Sequence, residues 1–119
     1  MTRVPARETR LSGMREPTYY VLASLIDGPL HGYGMIKSAE TLSGGRVHLT
    51  AGTLYGALDR LVDQGLVEVT GEEIVRGRAR RYYRLTRDGG EALAEEASRL
   101  ARAARVVRSR TAMLRQVTE

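Results

Sequence analysis

The chain has 119 residues, 42% of them hydrophobic, a formal net charge of +5, eighteen Arg against the single Lys37, and no Cys, Trp or Phe. That length supports one compact domain with one extension, whose core Leu, Val, Ala and six Tyr must fill. Absence of Cys excludes disulfides, thiolate catalysis and thiolate zinc sites; no run approaches the ~18 apolar residues of a membrane span and no apolar leader opens the chain, so a soluble cytoplasmic protein is expected.

The Arg excess favours an anionic polymer as partner, because a planar guanidinium donates two parallel hydrogen bonds to a phosphate. Codon usage in a GC-rich genome would produce the same excess. Residues 1–15 hold Arg3, Arg7, Arg10 and Arg15 but little apolar content, and are expected to form a flexible arm. Pro17 suits the first turn of a helix, and Tyr20-Val21-Leu22-Ala23-Ser24-Leu25-Ile26 is apolar most of the way round, which predicts burial on several sides until Asp27-Gly28-Pro29 ends it. His31-Gly32-Tyr33-Gly34 then opens a second helix, in which Met35, Ile36, Ala39 and Leu42 recur at helical spacing before Ser43-Gly44-Gly45 breaks it.

The stretch from Thr50 to Leu66 reads as a capped helix with a stop signal. The Thr50 hydroxyl suits an N-cap, and Gly65 suits the left-handed position that follows a helix end. Leu54, Leu58, Leu61 and Val62 define the face to be buried. Outward then come Gly52, Thr53, Tyr55, Gly56 and Asp59, a surface without long solubilising chains. A glycine in mid-helix costs on the order of 1 kcal/mol against alanine, so Gly56 marks close approach to another body or a permissive site. Free N–H groups at the helix start suit an anion such as phosphate. Two short helices in series, the second small-faced, have the layout of a helix-turn-helix; an ordinary amphipathic helix is the alternative.

After Gly65 the period changes to two. Val67 and Val69 are expected on one face of a strand and Glu68 and Thr70 on the other; in the return strand Tyr83 and Leu85 should point inward while Arg80, Tyr82 and Arg84 point out. Glu72-Glu73-Ile74-Val75-Arg76, between Gly71 and Gly77, is expected to form the hairpin tip. The tip and return strand carry Arg76, Arg78, Arg80, Arg81, Arg84 and Arg87 with no acidic residue from Ile74 to Arg87. Such a hairpin is either a solvated charged loop or a wing that reaches along a phosphate backbone or into a minor groove.

From Thr86, a suitable cap, to about Gln116 the pattern is helical again. Leu93, Ala97, Leu100, Ala104, Val107, Thr111 and Leu114 recur at alternating steps of four and three, the spacing of a seam that needs a partner. Folding back over its own domain is the other way to cover it. Met14, Tyr19 and Tyr20, near that interface, form the candidate effector pocket. His31 and His48 read as a loop and a surface residue, and with no carboxylate cluster at metal spacing there is no catalytic or metal constellation, so an enzyme is not expected.

The motifs His31-Gly32-Tyr33, Gly52-Thr53-Leu54-Tyr55 with Ala57-Leu58 and Leu61, Gly65-Leu66-Val67, and Arg80-Arg81-Tyr82-Tyr83-Arg84-Leu85-Thr86 with Gly89 resemble the PadR family of transcriptional regulators from about residue 17 to 90. The resemblance implies a mainly α fold with a small β-hairpin, a winged helix-turn-helix over residues 16–86, and a long C-terminal dimerisation helix with its tail over 87–119. It also implies a homodimer in which that helix packs with the first helix of the other subunit, and repression of a promoter relieved by a small hydrophobic or aromatic effector, without cofactor, metal or membrane. Double-stranded DNA with a pseudo-palindromic operator is the expected partner. Its contacts are expected from Tyr33, Thr50, Gly52, Thr53, Tyr55, Gly56, Arg76, Arg78, Arg80 and Arg81, and the dimer interface from Leu93, Ala97, Leu100, Ala104, Val107 and Leu114. Gly56 stands where the family often has proline. The tryptophan against which some short members hold flat compounds has no counterpart here. The alternatives are an RNA- or protein-binding adaptor and a MarR-like repressor, a fold whose flanking helices this short chain lacks.

Overall fold

The computed structural model describes residues 14–118, in the order α1 (Glu16–Ser24), β1 (Leu30–His31), α2 (Gly32–Leu42), α3 (Ala51–Asp63), β2 (Val67–Val75), β3 (Arg78–Leu85) and α4 (Arg87–Thr118). Most of the expected N-terminal arm lies outside the described residues; Met14 is half-buried against the core.

In α1, Val21, Leu22 and Leu25 are buried, and Ser24 is accommodated among them because its hydroxyl donates to the Val21 carbonyl at 2.6 Å. Ile26 departs from the expected apolar run and is exposed, since the helix has ended at Ser24 and the turn carries it outward. In α2, Met35 and Ala39 face the core as their spacing predicts. Leu42 does not: it ends the helix in solvent, and the loop that follows buries Val47 instead. The Ser43 hydroxyl fixes that loop, donating to the Glu40 carbonyl at 3.1 Å and accepting from the Val47 N–H at 2.9 Å.

The capped helix forms as its signals predict. The Thr50 Oγ1 accepts from the Thr53 N–H at 3.2 Å, and after Gly65, at φ 76°, the Leu66 N–H bonds back to the Leu61 carbonyl at 2.9 Å. Leu54, Ala57, Leu58 and Leu61 are buried. Val62 is exposed, a correction to the expected face: the buried stripe runs i, i+3, i+4, i+7, and the i+8 position falls off its edge.

The sheet has the order β1-β3-β2, all antiparallel. β1 pairs Leu30 with Tyr83 and His31 with Tyr82, so the entry to α2 is tied to the hairpin. The hairpin is longer and its turn tighter than the sequence suggests. β2 continues to Val75, and Arg76 at φ 52° and Gly77 at φ 78° make the two-residue connection, the positive-φ pair whose twist matches the strands. Val67 is buried, but Val69 is exposed, because the pairing shifts register between Val69 and Gly71 and the strands then leave the core. Tyr83 is buried and Leu85 packs against the core, as alternation predicts.

The Thr86 Oγ1 accepts from the Gly89 N–H at 3.0 Å and donates to the Gly65 carbonyl at 2.6 Å, joining the end of α3 to the start of α4. Only glycine fits at 89, since a Cβ there would lie 1.9 Å from the Leu66 carbonyl oxygen. One core unites Leu22, Met35, Leu54, Leu58, Leu66, Val67, Tyr83, Ala92 and Leu93. Each large aliphatic side chain so buried stabilises the fold by about 1.5–3 kcal/mol. At 32 residues α4 is about 48 Å long and outruns that core. Leu100, Val106, Val107, Met113 and Leu114 are all exposed along it.

Candidate nucleic-acid interface

The N-terminal ends of α2 and α3 and the tip of the hairpin enclose an open cleft of about 820 Å³, lined by His31, Gly32, Tyr33, Tyr55, Val75, Arg76, Arg78, Ala79 and Arg80. Tyr55 shapes its floor by folding back over the start of α2. Gly32 permits this, for a Cβ there would lie 2.5 Å from the Tyr55 hydroxyl oxygen. Tyr33 stands on the rim, exposed, with Lys37 Nζ 5.9 Å from its ring centroid. Thr50, Gly52 and Thr53 are exposed on the first turns of α3, and Gly56 is half-exposed one turn on. The Thr50 hydroxyl also donates to Thr53 Oγ1 at 3.0 Å, so the two hydroxyls present one linked polar edge beside the helix start.

Charge on the hairpin is distributed less evenly than a count of arginines suggests. Across the ladder, Glu68 faces Arg84, Glu72 faces Arg81 and Glu73 faces Arg80, and Arg84 is hydrogen-bonded to the Glu68 carboxylate. Arg81 is not among the residues that line the cleft. Its guanidinium is held charged even more firmly than usual, first by the Tyr83 side chain and then by Glu72 and by Asp59 of α3. At the tip Arg78 faces Val75, and neither Arg76 nor Arg78 forms an ion pair among the described residues. Uncompensated positive charge therefore concentrates where the hairpin overhangs the cleft.

His31, read from sequence as a loop residue, lines the cleft wall, its ring centroid 5.6 Å from Tyr82 and 6.4 Å from Tyr33. Burial, reinforced by the charge on Arg80 and opposed by Glu73, pushes its pKa below the usual imidazole value. The Tyr82 hydroxyl donates to Glu73 Oε1 at 2.5 Å, and this bond, with burial, pushes the phenol up. No signal local to the His-Gly-Tyr motif reveals these contacts, which depend on the pairing of β1 with β3.

A second cavity, of about 150 Å³, brings Met14, Tyr19 and Tyr20 together with Glu96, Arg99 and Leu100. Tyr19 and Tyr20 meet edge to face at 5.4 Å. Glu96, 4% exposed, accepts Arg99 Nε at 2.8 Å and Nη2 at 2.6 Å, and this pairing holds its carboxyl below the usual range against the opposing effect of burial. Beside it an apolar groove of about 390 Å³ runs between α1 and α4, lined by Tyr19, Ala23, Ile26, Leu85, Leu93 and Ala97 among others. Of the seam residues, Leu93 is therefore part of this chain's own core and Ala97 lines the groove. Ala104 is half-exposed, Leu100 is exposed at the rim of the second cavity, and Val107 and Leu114 are exposed farther along the helix.

Among the described residues no helix is long and apolar enough to cross a membrane, and no group of three or more His, Cys, Asp or Glu could hold a metal ion. A helix pair whose second member presents a small polar face, flanked by a hairpin with an arginine tip, defines a winged helix-turn-helix. The chain belongs to the transcriptional regulator PadR-like family, whose model matches residues 21–95. It is 38% identical over 88 residues to the transcriptional regulator Rv3488 of Mycobacterium tuberculosis (strain ATCC 25618 / H37Rv), covering 74% of this chain and 78% of that one. It is 46% identical over 82 residues, 69% of its length, to an uncharacterized 37.1 kDa protein in transposon TN4556 of Streptomyces fradiae, of which it spans only 22%. Its fold is similar to that of Bacillus subtilis PadR in complex with operator DNA, with a TM-score of 0.60 at 24% identity over 68% of this chain and 47% of that one.

Proposed function

We propose that this chain is a sequence-specific DNA-binding regulator that acts as a homodimeric repressor and is released from its operator by a small hydrophobic or aromatic effector. The observation that carries the reading is the cleft, in which Arg76, Arg78 and Arg80 share a lining with Tyr33 and with Tyr55 of α3, whose first turns are exposed and small-faced. A helix so slim enters a major groove, with Thr50, Gly52, Thr53, Tyr55 and Gly56 close to base edges and phosphates, while Tyr33 and the arginine tip grip the backbone on either side. Arg81 belongs to the same wing but lies outside the cleft lining. The family assignment, and the similarity in fold to the Bacillus subtilis PadR that was solved in complex with operator DNA, support DNA as the partner.

The exposed seam of α4 lies in line with the apolar groove between α1 and α4, so a second copy would cover both. Two-fold symmetry then requires half-sites about one helical turn apart. Met14, Tyr19, Tyr20 and Leu100 line the pocket beside that interface, where a flat apolar effector would change how two copies meet. Titrating the protein with duplex DNA from upstream of its own gene, and with a structured RNA of equal charge, tests the reading. Tighter binding to the duplex, weakening steeply with salt, is expected; equal affinity for both would make the chain an RNA-binding or nonspecific module.

A further inference from the structure

α3 carries a single basic side chain, Arg60. On the helical wheel Gly52, Gly56, Asp59 and Asp63 stand opposite the buried stripe of Leu54, Ala57, Leu58 and Leu61, with Arg60 on one flank. Side chains on a helix lean toward its N-terminus. Arg60 does so across Gly56: a Cβ built on Gly56 would meet one atom within 4 Å, Arg60 Nη1 at 3.9 Å. The guanidinium thus lies over the outward face a full turn ahead of its own Cα, in space that any longer side chain at 56 would contest. It is exposed and forms no ion pair among the described residues.

Its surroundings favour a base edge over a phosphate. Asp63, exposed on the same outward face and in no ion pair among the described residues, repels a backbone that comes close, whereas the floor of a major groove offers the O6 and N7 acceptors of guanine to a two-pronged donor. We propose that Arg60 reads one guanine in each half-site and that Gly56 is the gap in which its guanidinium lies. This rests on the DNA-binding reading above and names a residue that decides its specificity.

Site selection from a randomised duplex pool with the full chain, followed by affinity measurements over a salt series, tests it. Wild type should select a motif with guanine fixed at one position per half-site. Arg60→Ala should keep the rest of the motif, lose that preference, and bind the guanine-bearing site roughly tenfold to hundredfold more weakly, with the salt slope unchanged. Arg60→Lys, which keeps the charge but not the fork, should lose the same preference. Gly56→Leu should reproduce the loss by displacing the guanidinium. Retention of the guanine in Arg60→Ala or Arg60→Lys overturns the proposal. So does an even loss of affinity on every sequence with a flatter salt slope, which would make Arg60 a phosphate contact and leave the DNA-binding reading intact. If wild type selects no motif, sequence-specific binding itself fails and this inference with it.

Discussion

Glu96 shows how one side chain joins the fold to a site. It is buried and doubly hydrogen-bonded by Arg99, one helical step away, and Arg99 keeps its carboxyl ionised below the usual range. A carboxyl whose folded pKa is depressed binds fewer protons in the native chain than in the unfolded one, so stability falls as pH drops. The contribution is complete above the ordinary carboxylate value of 4.5 and is lost as pH falls through the lower folded value. Urea midpoints between pH 6 and pH 3 should show this acid-limb loss in wild type and a shallower one in Glu96→Gln. Identical limbs would mean that Glu96 contributes none of it. Single positions were legible in the sequence wherever the cause is local: Thr50, Gly65 and Thr86 each satisfy backbone groups within a few residues. Ile26, Leu42, Val62 and Val69 were not, because each lies at or just past the end of a helix, a stripe or a paired register that only tertiary packing sets.

At the scale of elements, α1 to α4 follow from periodicity and stop signals, and the two strands of the hairpin from alternation. β1 did not, since two residues make no pattern and its existence depends on β3 coming alongside. The hairpin turn was hidden because Arg76-Gly77 carries arginine where a positive-φ turn usually takes Asn, Asp or Gly. The resulting register changes the electrostatics. Arginines that form one basic run in sequence divide into those faced by glutamates and those at the tip. Arg78→Ala should therefore flatten the slope of log affinity against log salt by about 0.9 for each phosphate the side chain would neutralise, whereas Arg84→Ala, already committed to Glu68, should leave it unchanged. Equal changes in both would mean that the whole strand, not its tip, meets the nucleic acid.

On the scale of the molecule, a core drawn from α1–α3, the strand bases and the first turns of α4 leaves the rest of a 32-residue helix without cover of its own. The sequence shows that seam through its alternating spacing. It does not show that Leu93 turns into the chain's own core while Leu100 and Val107 stay exposed, because both kinds of position share one face of the helix. If exposed seam residues join two copies, Leu100→Glu should leave a folded monomer with weakened operator binding, since each half-site would then be bound alone. The most direct test of the central claim, that a slim helix and an arginine-tipped wing are presented twice by one dimer, is light scattering of the full chain alone and with an operator duplex. Two chains are expected in the free protein and two on each duplex, with half that mass for Leu100→Glu; a single chain in both states would contradict the claim.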